Sequence, residues 1–395
     1  MTHSRSLGTE PVETVTQGSD DEVGPAGVGG DFPWTGVADR PWLSWPRESA
    51  FYSTGRVALL QAVRNWRRFS RGGALHVPSY FCPAVTEYLL RAGVGVSTYE
   101  DSPIQTDPEW STIACKDGDI VLAVNYFGVR QGHHWREWRT AQSKVGLIED
   151  HTHDPFSPWA QESSADYAFA SVRKLYPIPD GGILWSPTGH SGFREERGSL
   201  TLGATLKWAA MHIQAHAMLR SARYRYLKWS YRCLQVSGER AFSLVHGKSM
   251  THWSHTIIGQ GVPQAWRDLR RENVTSFLQE PPIPGIKPLF RHWPEGACPF
   301  QVVLLFETQP IRDFVRSQLI QRRIYCPIHW TQSPGAAGHG FQLGSRILTI
   351  PADQRYRPED MRRVVRILCS VAADLPRSAL RASGAGRQND RRCGS

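Results

Sequence analysis

Two residue types that can do chemistry lie one short strand apart in the middle of the chain. Residues 145–150 form an apolar run that ends in Glu149 and Asp150, and a second apolar run ends at Ser171, three residues before Lys174. A buried acid at a strand end is costly unless a cationic group partners it, and a lysine amine can bond covalently to a carbonyl carbon. Most lysines are solvated surface residues, but this one is flanked by apolar runs and followed by a Gly pair at 181–182.

This order of residues resembles the pyridoxal-phosphate (PLP) enzymes of the aspartate-aminotransferase fold, and within them the DegT/DnrJ/EryC1/StrS family. In that family an aspartate closes a strand in a hydrophobic-Glu-Asp pattern, as residues 147–150 do here, and a lysine follows some two dozen residues later before a Gly-rich turn. The resemblance implies that Lys174 binds pyridoxal 5'-phosphate as an aldimine and that Asp150 keeps the pyridine nitrogen protonated. Prolines replace part of the family's turn here, which predicts a stiffer loop.

The resemblance extends to other cofactor contacts. The Ser-Thr-Gly-Arg sequence at 53–56 opens a helix, and a helix N-terminus beside a glycine presents free N–H groups to a phosphate. The family usually has Gly-Thr or Gly-Ser there, so a hydroxyl contact would come from Thr54 or from elsewhere. The implied contacts are Thr54, Gly55, Arg56 and Ser171 for phosphate, Tyr80 (preferred) or Phe81 for stacking on the ring, His153 for the phenolic oxygen in place of a Gln, and Asn125 at a strand end. For Tyr80 and Phe81 taken singly, core packing is the alternative interpretation.

Length and periodicity predict a large and a small domain. A chain of 395 residues with 40% hydrophobic residues is long for one domain. Apolar runs at 74–78, 93–99, 119–127, 145–150 and 166–171 indicate buried strands. We expect an α/β PLP-transferase fold of type I, in which a large domain with a mostly parallel central sheet flanked by helices precedes a small C-terminal α/β domain. The predicted divisions are a disordered segment 1–31, an extended arm 32–50, a PLP-binding domain 51–280, a small domain 281–375 and a disordered basic tail 376–395.

Composition limits the other classes of protein. The net charge of +10 is spread over presumed helices and the tail, without a nucleic-acid-binding motif, so we expect no nucleic-acid partner. No apolar run approaches the roughly 20 residues of a membrane span and the N-terminus lacks a signal-peptide core, so we expect a cytoplasmic protein without a membrane partner. Seven scattered cysteines without a CxxC predict neither a disulfide framework nor a metal site.

The function that the resemblance implies is that of a homodimeric PLP-dependent aminotransferase. It would move an amino group from a small-molecule donor to a keto group on a sugar or another biosynthetic intermediate. His329 lies where relatives have a substrate-mouth residue, and Arg346 or Arg355 is a candidate partner for a substrate anion, with structural ion pairing as the alternative for either arginine. The family's Gly-Tyr-Asn-x-Arg-Met-like segment is not found at 199–254, which leaves a nucleotide-sugar substrate open. The alternatives are another PLP reaction on the same fold (lyase, decarboxylase or C–C bond formation) and a non-catalytic regulatory or DNA-binding protein.

Overall fold

The computed structural model describes residues 27–35, 43–70, 72–190, 192–193, 201–219, 221–244, 248–331 and 339–375. The strands, numbered in chain order, are β1 Val28–Gly29, β2 Ala50–Tyr52, β3 Leu75–Pro78, β4 Val96–Tyr99, β5 Ile120–Val124, β6 Gly146–Asp150, β7 Tyr167–Ala170, β8 Gly182–Trp185, β9 Ile286–Pro288, β10 Val302–Phe306, β11 Ile324–Tyr325 and β12 Ile347–Ile350. The helices are α1 Gly55–Trp66, α2 Pro83–Arg91, α3 His133–Ala141, α4 Pro158–Gln161, α5 Leu202–Leu219, α6 Ser221–Phe242, α7 His252–Ile258, α8 Gln264–Gln279, α9 Gln309–Gln321, α10 His339–Arg346 and α11 Pro358–Ala373.

The central sheet has the strand order β2-β8-β7-β6-β5-β3-β4. Strands β4, β3, β5, β6 and β7 are parallel to one another, and β8 is antiparallel to both β7 and β2. Because the direction reverses twice, β2 points the same way as β7. Strands β5 and β7 are buried along their whole length, as expected for a sheet that helices cover on both faces. The predicted α/β fold with a mostly parallel central sheet is confirmed.

The carboxyl ends of β2, β3, β5, β6 and β7 consequently meet at one edge of this sheet. Ligands of open α/β sheets bind at this edge. The first residues that follow or close these strands are, in the same order, Ser53, Ser79, Asn125, Asp150 and Ser171. Residues far apart in the sequence are thereby placed side by side.

Helix α1 begins at the same edge. Thr54 caps it, because its extended backbone turns its Oγ1 to accept a hydrogen bond from the Val57 N–H at 3.3 Å. Val57, Leu59 and Leu60 are fully buried against the sheet and fix the direction of the helix axis. The N-terminus of α1, with its unpaired N–H groups, therefore lies against Ser171 at the end of β7.

The small domain has its own sheet and its own core. Strands β12, β10 and β9 are antiparallel in that order, and α8, α9 and α11 bury apolar side chains against them. Val274 and Phe277 of α8 belong to this core, so the small-domain core begins before the proline-rich residues at 281–294.

Two sequence predictions need correction. Disorder was predicted as far as residue 31, but β1 pairs in parallel with β11 and Val28 is buried in the small-domain core. Gly29 allows the pairing, because a Cβ at its φ of 94° would lie 2.2 Å from the Tyr325 carbonyl oxygen. The strand predicted at 119–127 ends at Val124, because Phe127 has a φ of 55° within a 3₁₀ turn.

The extended arm is described only in part. Trp34 stacks on His212 with a ring separation of 4.9 Å, and the Trp45 Nε1–H donates to the Ile258 carbonyl at 2.5 Å, so the described parts pack on the body. Residues 1–26 and the tail at 376–395 lie outside the described residues. No helix within the described ranges is long and apolar enough to cross a bilayer, and no cluster of His, Cys, Asp or Glu there is arranged to hold a metal ion.

Candidate active site

A cavity of about 180 Å³ opens at the carboxyl edge of the central sheet. Nine of the residues predicted to contact a cofactor line it, namely Thr54, Gly55, Arg56, Phe81, Asn125, Asp150, His153, Ser171 and Lys174. Tyr80 does not. The parallel strand ends and the start of α1 bring these residues together.

One end of the cavity is built for an anion. The N-terminus of α1 lies against Ser171, so closely that a Cβ on Gly55 would be 2.6 Å from the Ser171 Cβ. Arg56 and Arg173 add two guanidinium groups to the same wall. Helix N–H groups, a hydroxyl and two cations are together suited to a phosphate.

Asp150 closes β6 and faces the cavity beside Lys174. The Thr152 N–H donates to its Oδ1 at 2.8 Å. Burial raises the pKa of Asp150 above 3.8, while hydrogen bonding from Thr152 and the charge of Lys174 oppose that rise. A protonated ring nitrogen at this carboxylate would offset the desolvation further.

His153 presents a single unused proton donor to the cavity. Its Nδ1 accepts a hydrogen bond from the Phe127 N–H at 2.9 Å, so the neutral ring carries its proton on Nε2. Nε2 is buried and has no hydrogen-bond partner among the described residues. Burial, with the charges of Lys174 and His329, holds the pKa of His153 well below 6.5. The ring is fixed by stacking on Phe300, with 4.4 Å between centroids.

Lys174 ends a 3₁₀ turn, Val172–Lys174, directly after β7. Its Nζ lies 5.7 Å from the centre of the Trp330 ring, which the small domain contributes. The next residue, Leu175, accepts hydrogen bonds from Gln354 at 2.7 Å and from Arg270 at 3.2 Å through its carbonyl oxygen. Two side chains therefore hold the backbone directly after the lysine through one carbonyl oxygen.

The preference for Tyr80 over Phe81 as the stacking residue is not supported. Tyr80 is fully buried, packs edge-on against Tyr126 with 5.7 Å between ring centres, and stays outside the cavity wall, whereas Phe81 lies in that wall. The Tyr126 hydroxyl donates to the Tyr80 carbonyl at 2.7 Å, which fixes the backbone in this orientation. Core packing is thus the role that the structure shows for Tyr80.

A second cavity of about 510 Å³ shares Arg173 and Lys174 with the first. It lies between the α5–α6 pair, the segment after β1 and the small domain. Its lining is rich in cations: Arg173, Lys174, Lys207, Lys228, Arg232, Arg316 and Arg355, against the acids Asp31 and Asp353. Arg232 and Arg316 donate to the Gln235 side chain and the Cys326 carbonyl, and neither forms an ion pair within the described ranges.

The three candidate substrate residues have different outcomes. His329 lines the larger cavity, and burial and the Lys174 charge lower its pKa to about 3. Arg346 lines neither cavity, because its Nε donates to the Phe306 carbonyl at 2.8 Å inside the small domain. Arg355 lines the larger cavity, but two 2.8 Å bonds tie it to Asp353, as the ion-pairing interpretation held.

The smaller cavity also has lining residues that were not predicted from the sequence, among them Thr152, Trp330 and Glu239. A hydroxyl two residues after the strand-closing acid is a local signal that identifies Thr152. Trp330 and Glu239 come from the small domain and from α6, and no local pattern distinguishes them from ordinary packing or surface residues.

Neither a protein-family model nor a curated protein matches the sequence, whereas solved structures match the fold. A Streptococcus pneumoniae protein named as a sugar aminotransferase has a TM-score of 0.55 at 12% identity, over 85% of this chain and 88% of that one, and it has also been solved in its PMP form. A second match is 3-amino-5-hydroxybenzoic acid synthase, at 0.55 and 14% over 83% and 87%. DesI, solved with its TDP-sugar product, matches at 0.55 and 15% over 86% and 83%. The chain has the type I fold of PLP-dependent aminotransferases.

The smaller cavity fits PLP on observations of this chain alone. The unpaired His153 Nε2–H suits a phenolic oxygen, the half-buried Asp150 carboxylate suits a protonated ring nitrogen, and the anion-binding end suits a phosphate. An amine, Lys174, completes the lining.

Proposed function

We propose that this protein is a PLP-dependent aminotransferase that acts on a keto sugar or another keto intermediate. The convergence of Asp150, His153 and Lys174 in one cavity carries the proposal, because these three groups match three different parts of one cofactor. The fold shared with aminotransferases supports it.

Each residue has a separate role in this proposal. Asp150 holds the ring nitrogen protonated, the His153 Nε2–H donates to the phenolic oxygen, and Ser171 with the N-terminus of α1 binds the phosphate. The bound cofactor supplies an electron sink for the donor α-carbon. Lys174 would attach the cofactor, and its Nζ would take up and return the proton of the donor α-carbon as base and then as acid.

The larger cavity suggests what kind of acceptor enters. It reaches Lys174 and its lining carries seven cationic side chains against two acids, while Glu239 of the smaller cavity pairs with two of those cations, Arg173 and Lys207. Such an excess attracts anions and disfavours cationic ligands. We therefore expect a keto acceptor that bears a phosphate or carboxylate group. Arg232 and Arg316 are the expected partners of that group, because neither forms an ion pair with a carboxylate of the described residues.

A homodimer is part of the proposal. Trp229 and Leu244 are each 75% exposed and Leu202 is 66% exposed, all on or beside the α5–α6 pair. We propose that these exposed apolar side chains take part in the contact between subunits. Light scattering of the purified protein should give twice the chain mass, and a monomer at micromolar concentration would contradict the assignment.

The decisive experiment is the absorption spectrum of the purified protein with and without PLP, for wild type and for Lys174→Ala. We expect a visible band for wild type that borohydride abolishes, with the reduced cofactor recovered by mass spectrometry on the peptide containing Lys174. A glutamate donor should then convert the bound cofactor to its amine form and yield 2-oxoglutarate stoichiometrically. Failure to take up PLP would refute the enzyme assignment, and uptake without amine transfer would indicate another PLP reaction.

A further inference from the structure

Helix α6 places an acid at the anion-binding end of the smaller cavity. Glu239 lines that cavity together with Gly55, Arg56 and Ser171. Its carboxylate forms a two-pronged ion pair with Arg173, one bond of which is 3.0 Å, and lies 2.7 Å from the Lys207 Nζ and 3.6 Å from the Arg56 Nη2. A single carboxylate thus contacts both guanidinium groups of the phosphate-binding end.

The charges around Glu239 keep it ionised. Burial by itself would raise its pKa, but Arg173 and Lys207 outweigh burial and leave the pKa lowered. Lys207 is also paired with Asp31 at 2.6 Å. Three cations therefore face two carboxylates, and only a small positive excess is left for a phosphate dianion.

We propose that Glu239 is a competing counter-ion that limits how tightly the phosphate-binding end holds a phosphate. The inference rests on the proposed function, since a cofactor phosphate is the anion concerned. A phosphate at the N-terminus of α1 must share Arg56 and Arg173 with Glu239 or displace its carboxylate. An unpaired arginine pair would bind the same phosphate more tightly.

The competing explanation is that Glu239 only anchors α6. Arg173 also lies 5.4 Å from the centre of the Phe242 ring, so the ion pair does join α6 to the lysine-bearing turn. An anchor and a competing anion make opposite predictions for phosphate affinity. Loss of an anchor loosens the site and weakens phosphate binding, whereas loss of a competitor strengthens it.

The test compares Glu239→Gln with wild type and with Glu162→Gln as the matched control. Glu162 forms an exposed 3.0 Å pair with Arg136 and lines neither cavity, so its substitution removes the same charge away from the site. Calorimetric titrations with inorganic phosphate, PLP and unphosphorylated pyridoxal are run at fixed low ionic strength. We expect Glu239→Gln to bind phosphate and PLP about tenfold or more tightly, from the Coulomb energy of a unit charge beside a dianion, with pyridoxal affinity unchanged.

Further arms separate the possible failures. The increase in phosphate affinity over wild type should shrink at high salt and disappear in the double variant Arg56→Gln/Glu239→Gln. If Glu239→Gln does not fold, Glu239→Asp, with its carboxylate drawn back by one methylene, should still bind phosphate more tightly than wild type. Unchanged or weaker phosphate binding by these variants would overturn the inference. Tighter phosphate binding without any PLP uptake would support the role of Glu239 and refute the proposed function.

Discussion

The close approach between the start of β8 and the start of α1 makes Gly182 a sensitive position. A Cβ at residue 182 would lie 2.2 Å from the Thr54 carbonyl oxygen and 2.6 Å from the Gly55 nitrogen, and both atoms belong to the backbone. No side-chain rotation relieves such a contact. Gly182→Ala therefore has to push the cap of α1 away from the sheet until the 2.2 Å separation reaches at least 3.4 Å.

The expected effect is twofold. Overpacking of this kind destabilises a folded protein by roughly 1–3 kcal/mol. The displaced cap also carries the N–H groups that we propose to bind the phosphate, and a misplacement of about 1 Å can cost roughly 100-fold in turnover. We expect Gly182→Ala to unfold at lower urea concentration and to bind PLP more weakly than wild type.

The matched control is Gly95→Ala. A Cβ at residue 95 meets no atom within 4 Å, and its backbone is outside the left-handed region, so this variant should unfold and bind PLP as wild type does. Urea unfolding followed by tryptophan fluorescence, together with PLP titration, gives both quantities. Equal behaviour of Gly182→Ala and wild type would refute the reasoning.

The other predictions concern single polar groups of the site. Asp150→Asn should lower turnover about 100- to 1000-fold in steady-state assays without lowering stability at pH 7. A carboxyl whose folded pKa is raised contributes stability at low pH and loses it as pH rises through that pKa, so the ionised Asp150 lowers the free energy of unfolding and Asn removes this effect. A drop in stability would contradict this. His153→Gln keeps a neutral donor and should bind PLP nearly as wild type, whereas His153→Leu should lose about 1–3 kcal/mol of binding free energy by titration, and equal losses would exclude the hydrogen bond. The pKa of His329 falls from 6.5 to about 3 on folding, so its stabilising contribution is present above pH 6.5 and is lost as pH falls toward 3. The free energy of urea unfolding should therefore depend less on pH between pH 4 and 7 for His329→Asn than for wild type. An identical slope would refute this.

The Asp150–Lys174 unit and the α/β fold were predictable because their signals are local. A buried parallel strand is a continuous apolar run, and its carboxyl end is the point where the run meets a polar residue. Asn125, Asp150 and Ser171 are all such points, and parallel strands place their ends at one edge whatever the details of packing. The cap of α1 at Thr54 was likewise visible, since capping depends on residues within one turn.

The choices between candidates that the sequence left open depended on which way a side chain faces. Tyr80 and Phe81 are neighbours of similar size, and only the packing of Tyr126 against Tyr80 leaves Phe81 in the cavity. Arg346 and Arg355 were equal candidates by sequence. Arg346 donates a hydrogen bond to the Phe306 carbonyl, and Arg355 is paired with Asp353. Neither partner can be identified without the small-domain fold.

The sequence by itself determined the strand ends, the capped helix and the acid and amine that line the smaller cavity, because each follows from hydrophobic patterning and chemistry within a few residues. Only the tertiary structure decided that Trp330 lies beside Lys174 and that Glu239 shares the arginines of the phosphate-binding end. These contacts join segments that are 66 to 183 residues apart. Their geometry depends on how the domains and the α5–α6 pair pack, and such long-range packing leaves no periodic signal in the chain.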